Sequence, residues 1–493
     1  MKINNDKRNG VERELKFAVA ASDIKKLTSI PLLKRGKASE KELTSIYFDS
    51  SSNALMKAGM SLRVRSVSGG LIHSLKLPTS QPDGLFVRRE YEIESSDRRP
   101  NIDRFGRHMP ARLRQQLETG LRPVFLVQVT RKEWSISMKA DEVALSVDKG
   151  FIRAGERREP VCELEIELRR GDETALFELA RRIAKIAPLR LEVFSKAERG
   201  YRLAEGTSIA ARKMPRPRLR RAETAAAGFE VLASAFIRHF SENEEAFLAT
   251  RSAESVHQMR VALRRLRSLA SFCEDLLSKR ERSAFGGGIK RVWKLLGAAR
   301  DLDIAIAMLE LRQSNGKRAL FELRRKRDAA SGRLLAELRS RRFCLCMLDL
   351  LAFSRRVRQP GSGAFAPVAS RTLQLNWREL RIYDLASGLT KKERHRLRLR
   401  AKALRYAAEC FADLFPKHNR RRDRFIDALE RLQDALGKLN DRATTRRLLR
   451  RLFGAEGAKL IENAASQGRS NDALLEDAEK AQKRLRASRP YWR

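Results

Sequence analysis

The sequence predicts an α+β N-terminal half followed by an all-α C-terminal half. Three observations predict it. Through about residue 200, apolar and ionic residues alternate with a period of two; beyond residue 222 the apolar period becomes 3.6 and stays there. Between the two lies Arg212-Lys213-Met214-Pro215-Arg216-Pro217-Arg218-Leu219-Arg220-Arg221, a poor candidate for a helix interior or central strand. Charge is also unevenly spread: residues 1–200 hold 39 Lys+Arg and 28 Asp+Glu, a net of +11, and the remainder carries +32 of the total +43. A chain of 493 residues is too long for one ordinary core. We place the boundaries at 8–208, a linker at 209–221, and 222–493.

The strongly basic second half calls for a polyanion as partner: nucleic acid, an anionic membrane or polyphosphate. Aromatics at 6% argue against a stacking platform for single strands. Cys162, Cys273, Cys344, Cys346 and Cys410 form no C-x-x-C pair, which fits reduced core cysteines. The first residues lack the apolar core of a secretory signal, and no window offers about twenty apolar residues for a span. The expected location is the cytoplasm.

The first strand, Val11-Glu12-Arg13-Glu14-Leu15-Lys16-Phe17, puts Glu12, Glu14 and Lys16 on one face. A helix and connection follow over 22–33, then a strand Ile46–Asp49. Ser61–Arg65 sets Arg63 and Arg65 on one side and Leu62 and Val64 on the other. Gly69-Gly70 turns into Leu71–Leu77, predicting a hairpin that carries Lys76. His73 falls on the face opposite Lys76. Arg88, Glu90 and Glu92 share a face of 86–94. A helical insertion over 101–121 precedes strands 124–134 (Arg131), 143–149 (Asp148) and 162–168, whose Glu163, Glu165 and Glu167 share one side. A helix over 173–186 and the segment Ser195–Tyr201 complete the half.

Strand after strand thus has an ionic and an apolar face. Adjacent carboxylates repel each other, and a hard divalent cation held by oxygens relieves that. In a barrel wide enough for a ligand the charges line the lumen. Acidic pairs on two strands and Arg or Lys on at least five others are what a metal–triphosphate complex requires. For an isolated E-x-E-x-K, a solvated edge strand is the commoner meaning; the recurrence of matching faces overturns it here.

Several motifs then occur in order: Glu12-x-Glu14-x-Lys16, Tyr47-Phe48-Asp49, Leu62-Arg63-Val64-Arg65, Lys76, Arg88-x-Glu90, Arg131, Val147-Asp148-x-Gly150, Glu163-x-Glu165-x-Glu167 and Ser195-Lys196-x-x-Arg199-Gly200-Tyr201. Over residues 10–205 the chain resembles the CYTH family of triphosphate tunnel enzymes, which includes inorganic triphosphatases, thiamine triphosphatases and class IV adenylate cyclases. The resemblance implies an eight-stranded antiparallel tunnel barrel using Mg²⁺ or Mn²⁺. It implies Glu12, Glu14, Asp148, Glu163 and Glu165 at the metal, and Lys16, Arg63, Arg65, Lys76, Arg88, Arg131 and Lys196 on the phosphates. Glu167 belongs with either set. One departure stands out: Ala144 occupies a position, four before Asp148, where many relatives carry an acid. Hydrolysis in such a tunnel is phosphoryl transfer to an in-line water.

In the second half the pattern His257-x-x-Arg260-x-x-x-Arg264-x-x-Arg267 recurs as His395-x-x-Arg398-x-x-x-Lys402-x-x-Arg405. Each copy is followed by a second element, Leu296-Gly297-x-x-Arg300-Asp301 and Leu436-Gly437-x-x-Asn440-Asp441. The offsets fall within an arc of about 80° over about 15 Å of helix. Such stacked cations repel unless an anion lies along them. The Pro360–Pro367 stretch separates the copies, and the repetition argues for a shared role rather than a merely solvated face. Residues 222–493 resemble the CHAD domain. That implies two pseudo-symmetric helical bundles, about 222–355 and 370–493, with polyphosphate bound by His257, Arg260, Arg264, Arg267, His395, Arg398, Lys402 and Arg405. Protonation of the histidines near a polyanion adds charge. Arg300 and Asp301 are expected to pin helices.

Four functions follow in order of fit. The first is a metal-dependent inorganic triphosphatase whose basic half binds polyphosphate and associates it with polyphosphate granules. The second is a non-catalytic polyphosphate-binding protein, which Ala144 favours. The third is an adenylate cyclase, for which no adenine pocket is legible. The last is nucleic-acid binding through the basic face, without base readout.

Overall fold

The computed structural model describes residues 9–34, 36–67, 70–78, 83–118, 120–215, 217–220, 223–310, 317–356, 363–466 and 470–492. Gly69 of the predicted hairpin turn, Arg216 and Arg221 of the linker, and residues 360–362 lie outside them. The chain divides into two compact units, 1–210 with 339–352, and 211–338 with 353–493. The predicted boundaries do not contain the grouping of 339–352 with the first unit.

The first unit is a closed barrel. Its strands are β1 (Asn9–Ala18), β2 (Ala38–Asp49), β3 (Ser61–Val67), β4 (Gly70–Pro78), β5 (Leu85–Ser95), β6 (Arg122–Met138), β7 (Asp141–Ala154) and β8 (Arg157–Arg170). They run in the order β5-β4-β3-β2-β6-β7-β8-β1, and β1 also pairs with β5, which closes the ring. All pairings are antiparallel: Glu12 stands opposite Arg88 on β5, and Lys16 opposite Glu165 on β8. A two-residue β9 (Arg190–Leu191) adds to the end of β1. Several strands outrun their predicted lengths. The first five residues of β2 are all exposed, so no apolar alternation marks them; only the ladder to β6 does.

The barrel is apolar outside and ionic within. Leu62, Val64 and Leu75 face outward and pack under Phe105, Leu113 and Leu117 of the helical insertion, which comprises a 3₁₀ turn Asp103–His108 and a helix Ala111–Glu118. Inward-facing Leu43, Tyr47, Phe125, Val127 and Val129 pack instead against Ala197 and Tyr201 of the helix Lys196–Glu205. A further helix, Thr174–Ala184, buries Leu176, Phe177 and Ile183. The helical segment 339–352 is tied to this unit by Arg181 to Asp349 (2.9 Å) and by Arg341 donating to the Lys185 carbonyl (2.9 Å).

The second unit is helical. One set comprises Ala225–Thr250, Ala253–Phe272, Lys290–Glu310 and Lys317–Leu338; the other comprises Phe365–Arg381, Lys391–Cys410, Asn419–Ser466 (broken at Gly454, φ 59°) and Asn471–Ala487. Thr224, Ser252, Thr390 and Ser470 cap four of these helices through their hydroxyls. The second helices of the two sets pack on each other, as do the third. A small antiparallel bridge, Thr224 with Ala364, joins the starts of the sets. Gly228 is required there, since a Cβ would lie 2.1 Å from Phe365.

Candidate functional site

The alternation carries ionic side chains inward from most strands, so closing the barrel gathers them. The resulting cavity, about 260 Å³, is lined by Glu12, Glu14, Lys16, Arg63, Arg65, Lys76, Arg88, Arg131, Asp148, Glu165 and Lys196, among others. Glu163 is not on its wall; buried behind it, Glu163 is held by Lys196 (2.5 Å) and by Arg199. His73 points outward, as expected, with Nε2 2.7 Å from the Asp97 carbonyl.

Lys196 is delivered by local chemistry. Ser195 and Glu198 form a capping box at the start of the helix Lys196–Glu205, which sets Lys196 at its first position. From there its ammonium reaches Asp148 (2.9 Å), Glu163 and Glu165 (2.8 Å). Gly200 lets this helix approach β6, since a Cβ would lie 2.1 Å from Phe125. Asp49, from the Tyr47-Phe48-Asp49 motif, is structural: it accepts from Leu55 and Met56 amides and from Tyr201 Oη (2.9 Å).

The charges in the cavity are mostly paired. Arg131 grips Asp148 with two bonds of 2.7 Å and also reaches Glu165. Burial opposes ionisation of Asp148, but Lys196 and Arg131 more than offset it and hold its pKa at about 2. Burial likewise works against Glu165, yet Lys16, Lys196 and Arg131 keep it well below the carboxylate range. Lys76 bridges Glu12 (2.7 Å) and Glu90 (3.1 Å), and Arg63 joins Glu90 (3.0 Å).

Two groups stand apart. Arg65 has no carboxylate partner among the described residues; it donates only to Ser45 Oγ at 3.3 Å. Burial, then Arg63 and Arg131, push its pKa down to about 10. Arg63 Nε beside it is buried without a hydrogen bond. Glu14 is the acidic counterpart: burial and Glu12 raise its pKa. Lys16 Nζ lies 3.0 Å from its Oε1 but without hydrogen-bond geometry, so that oxygen accepts none.

Among the described residues no three His, Cys, Asp or Glu form a metal-holding group, because lysines and arginines stand between the carboxylates. The donor chemistry nevertheless fits a hard cation at β1, where Glu12 and Glu14 share the inward face and one Glu14 oxygen is unsatisfied. Glu167 also lines the cavity, opposite both Glu14 and Ala144 in the ladders. Burial, with Glu12 and Glu14 adding and Arg169 (2.8 Å) opposing, pushes its pKa up to about 8.

In the helical unit the two basic helices meet. Arg260, Arg264 and Arg267 surround the Trp293 ring at 4.8, 5.6 and 5.3 Å, and Arg264 donates to Tyr406 of the other set (2.9 Å). Arg260 Nη1 and Arg398 Nε are buried without hydrogen bonds. Burial and then Arg264 push Arg260 down to about 10; burial, Arg264 and Arg398 push Lys402 down to about 7. The copies are not equivalent. His257 is half-buried, and burial with Arg300 drives its pKa to about 4, whereas His395 is exposed. Arg405 is already engaged by Glu430 (3.2 Å) and Glu409 (3.4 Å).

The family model described as CYTH domain matches residues 10–201, and that described as CHAD domain matches 231–450. The chain carries a CYTH domain followed by a CHAD domain. An inorganic triphosphatase of Haemophilus influenzae is 29% identical over 167 residues, covering 33% of this chain; the chain spans about half (46%) of that relative's length. Among solved structures, the CHAD domain of the plant Ricinus communis matches 57% of this chain and 98% of its own at 25% identity, with a TM-score of 0.47. A Hippeastrum protein described as an adenylyl cyclase with a dominant triphosphatase activity matches 40% of this chain and 97% of its own at 16% identity, TM-score 0.28. No helix among the described residues is long and apolar enough to cross a membrane.

The CYTH cavity also contains residues that the sequence reading did not assign to the site. Lys41, Tyr47 and Glu133 line it. Lys41 stands opposite Arg131 and Tyr47 opposite Arg63. The signal was present: Lys41, Leu43, Ser45 and Tyr47 alternate, but a mixed polar–apolar face reads poorly as one wall. In the CHAD domain, Trp293 and Tyr406 were missed because they sit outside the repeated motif's spacing.

Proposed function

We propose that the CYTH cavity hydrolyses inorganic triphosphate or a related triphosphate and that the CHAD domain binds inorganic polyphosphate. The observation that carries the first part is Arg65: a half-buried guanidinium with no carboxylate ion pair among the described residues, beside Arg63, in a cavity that Glu12 and Glu14 also line. Glu90 offsets this cation only in part, because Arg63 and Arg131 press on it as well; a phosphate oxygen satisfies it with the fork geometry that guanidinium offers.

In this reading Arg65, Arg63 and Lys76 hold one part of the phosphate chain, and Arg131, Lys16, Arg88 and Lys196 the rest. Glu12 and Glu14, with Asp148 and Glu165, hold the divalent cation, Mg²⁺ or Mn²⁺. When bound, that ion supplies charge neutralisation on the transferring phosphoryl group. Arg131 and Lys196 exchange their carboxylate partners for phosphate oxygens as substrate enters, which frees Asp148 and Glu165. Glu163 keeps Lys196 and Arg199 in place from behind the wall. Support for polyphosphate at the CHAD face comes from Arg260 and Arg398, whose buried nitrogens lack acceptors, and from the depressed Lys402.

The test is phosphate release from inorganic triphosphate by the full chain with Mg²⁺ or Mn²⁺. Release that stops with chelator and falls sharply in Arg65→Ala supports the reading. No release from folded protein that still binds polyphosphate favours the non-catalytic alternative. That alternative rests on the carboxylates being tied to Arg131 and Lys196.

A further inference from the structure

A second basic cavity lies in the helical unit and shares no residue with the repeated His–Arg helices. About 660 Å³ in size, it is bounded by Pro416–Arg421 and Arg424 at the start of one helix and by Ala487–Arg489 just after another. Lys417, His418, Arg420, Arg421, Arg424 and Arg489 line it, and no carboxylate does.

The sequence arranges this locally. At 100° per residue, Arg420, Arg421 and Arg424 fall within about 100° of arc, on one side of the helix start, and Lys417 precedes them in a 3₁₀ turn. Arg422, on another side, is used up structurally: its guanidinium donates to Asn419 Oδ1 (2.7 Å), Asp423 Oδ1 (2.9 Å) and the Ala412 carbonyl (3.2 Å). That anchoring fixes the segment. Asp423, the nearest acid in sequence, is paired with Arg422 and takes no place in the lining. Arg489 arrives from the far end of the chain, behind a helix terminus closed by Ser488 bonding back to Leu485 (2.6 Å). Among the described residues no ion pair engages Lys417, Arg420, Arg421, Arg424 or Arg489.

We propose that this cavity is a separate binding site for a compact multi-phosphate anion, a condensed phosphate of a few units. Four exposed arginines border the one cavity, and guanidinium forks match adjacent phosphate oxygens. The lining has no Phe, Tyr or Trp on which a base would stack, and its charges border one cavity rather than following a strand, which disfavours nucleic acid. The site stands independently of the tunnel and of the repeated basic face.

The test is hydrogen–deuterium exchange on the full chain with inorganic triphosphate, chelator and physiological salt. Binding is expected to slow exchange over 417–424. In Arg420→Gln/Arg421→Gln/Arg424→Gln the affinity read from that segment should fall at least about tenfold, the loss expected for removing charge-assisted hydrogen bonds, while any protection of 257–267 and 395–405 is unchanged. Absence of protection in the wild type, or equal protection in the triple variant, overturns the proposal. So does duplex DNA that competes equally at matched phosphate concentration. Should the triple variant fail to fold, Arg489→Gln is read in its place: weakened protection of 417–424 supports the site, and unchanged protection overturns it.

Discussion

Arg131 and Asp148 stand directly opposite each other on neighbouring strands and join through two parallel hydrogen bonds of 2.7 Å, with Asp148 fully buried. The pair stores a choice: Asp148 serves either this guanidinium or a cation, and Arg131 either this carboxylate or a phosphate. Removing the carboxylate alone, in Asp148→Ala, leaves Arg131 and Lys196 to share Glu165, with Lys196 also keeping Glu163. We expect a loss of about 3 kcal/mol of stability, the usual cost of breaking a buried pair. Inorganic triphosphate should restore much of the melting temperature, and turnover should stay low.

Arg65→Ala has the opposite signature. Burial, Arg63 and Arg131 outweigh the help that Glu90 gives the wild-type charge, so the variant should melt no lower than the wild type without ligand. Triphosphate affinity should nevertheless fall about 30- to 100-fold, since a hydrogen bond to a charged group contributes about 2–3 kcal/mol. Calorimetric titration with a non-hydrolysed triphosphate analogue, beside thermal melts, checks both.

Gly200→Ala tests how Lys196 is positioned. The added methyl meets Phe125 at 2.1 Å, and overpacking of this kind costs about 1–3 kcal/mol. The helix Lys196–Glu205 has to move, so kcat should drop although no cavity residue has changed. Steady-state kinetics and a melt read the two effects.

Lys402 predicts a pH dependence. Its pKa falls from 10.5 to about 7 on folding, through burial, Arg264 and Arg398, with Arg405 adding and Asp441 opposing. Between about pH 7 and 10.5 the unfolded chain therefore binds the proton and the folded chain does not. Stability gains from this group as pH rises through that window, and the penalty is complete below it. Polyphosphate should reverse the shift, so its binding takes up a proton and weakens as pH rises above 7. In Lys402→Met both slopes should flatten, measured as the difference from wild type in melts and in binding titrations.

The helical segment 339–352 bears on how the tunnel is studied. A fragment ending at residue 210 loses the partners of Arg181 and of the Lys185 carbonyl. It should melt below the same unit in the full chain and aggregate more readily, as differential scanning calorimetry would show.

Much of the site was legible because a strand's alternation is local. Glu12, Glu14 and Lys16 share a face whatever lies across from them. The repeated His–Arg spacing likewise marks one stripe on each of two helices. Lys41, Tyr47, Trp293 and Tyr406 were not legible as site residues, because their roles come from neighbours distant in the chain.

The sequence by itself therefore determined which side chains each element presents together, and the two-part architecture that follows from the change of period. Only the tertiary structure decided their partners. The β6–β7 register set Arg131 on Asp148, while closure of the barrel left Arg65 without an acid in ion-pair reach and put Glu163 behind the wall. The packing of two similar but unequal helices half-buried His257 and exposed His395. The physical reason is the same in each case. Periodicity is a property of consecutive residues, whereas burial and charge pairing depend on strand register and helix packing between segments far apart in the chain.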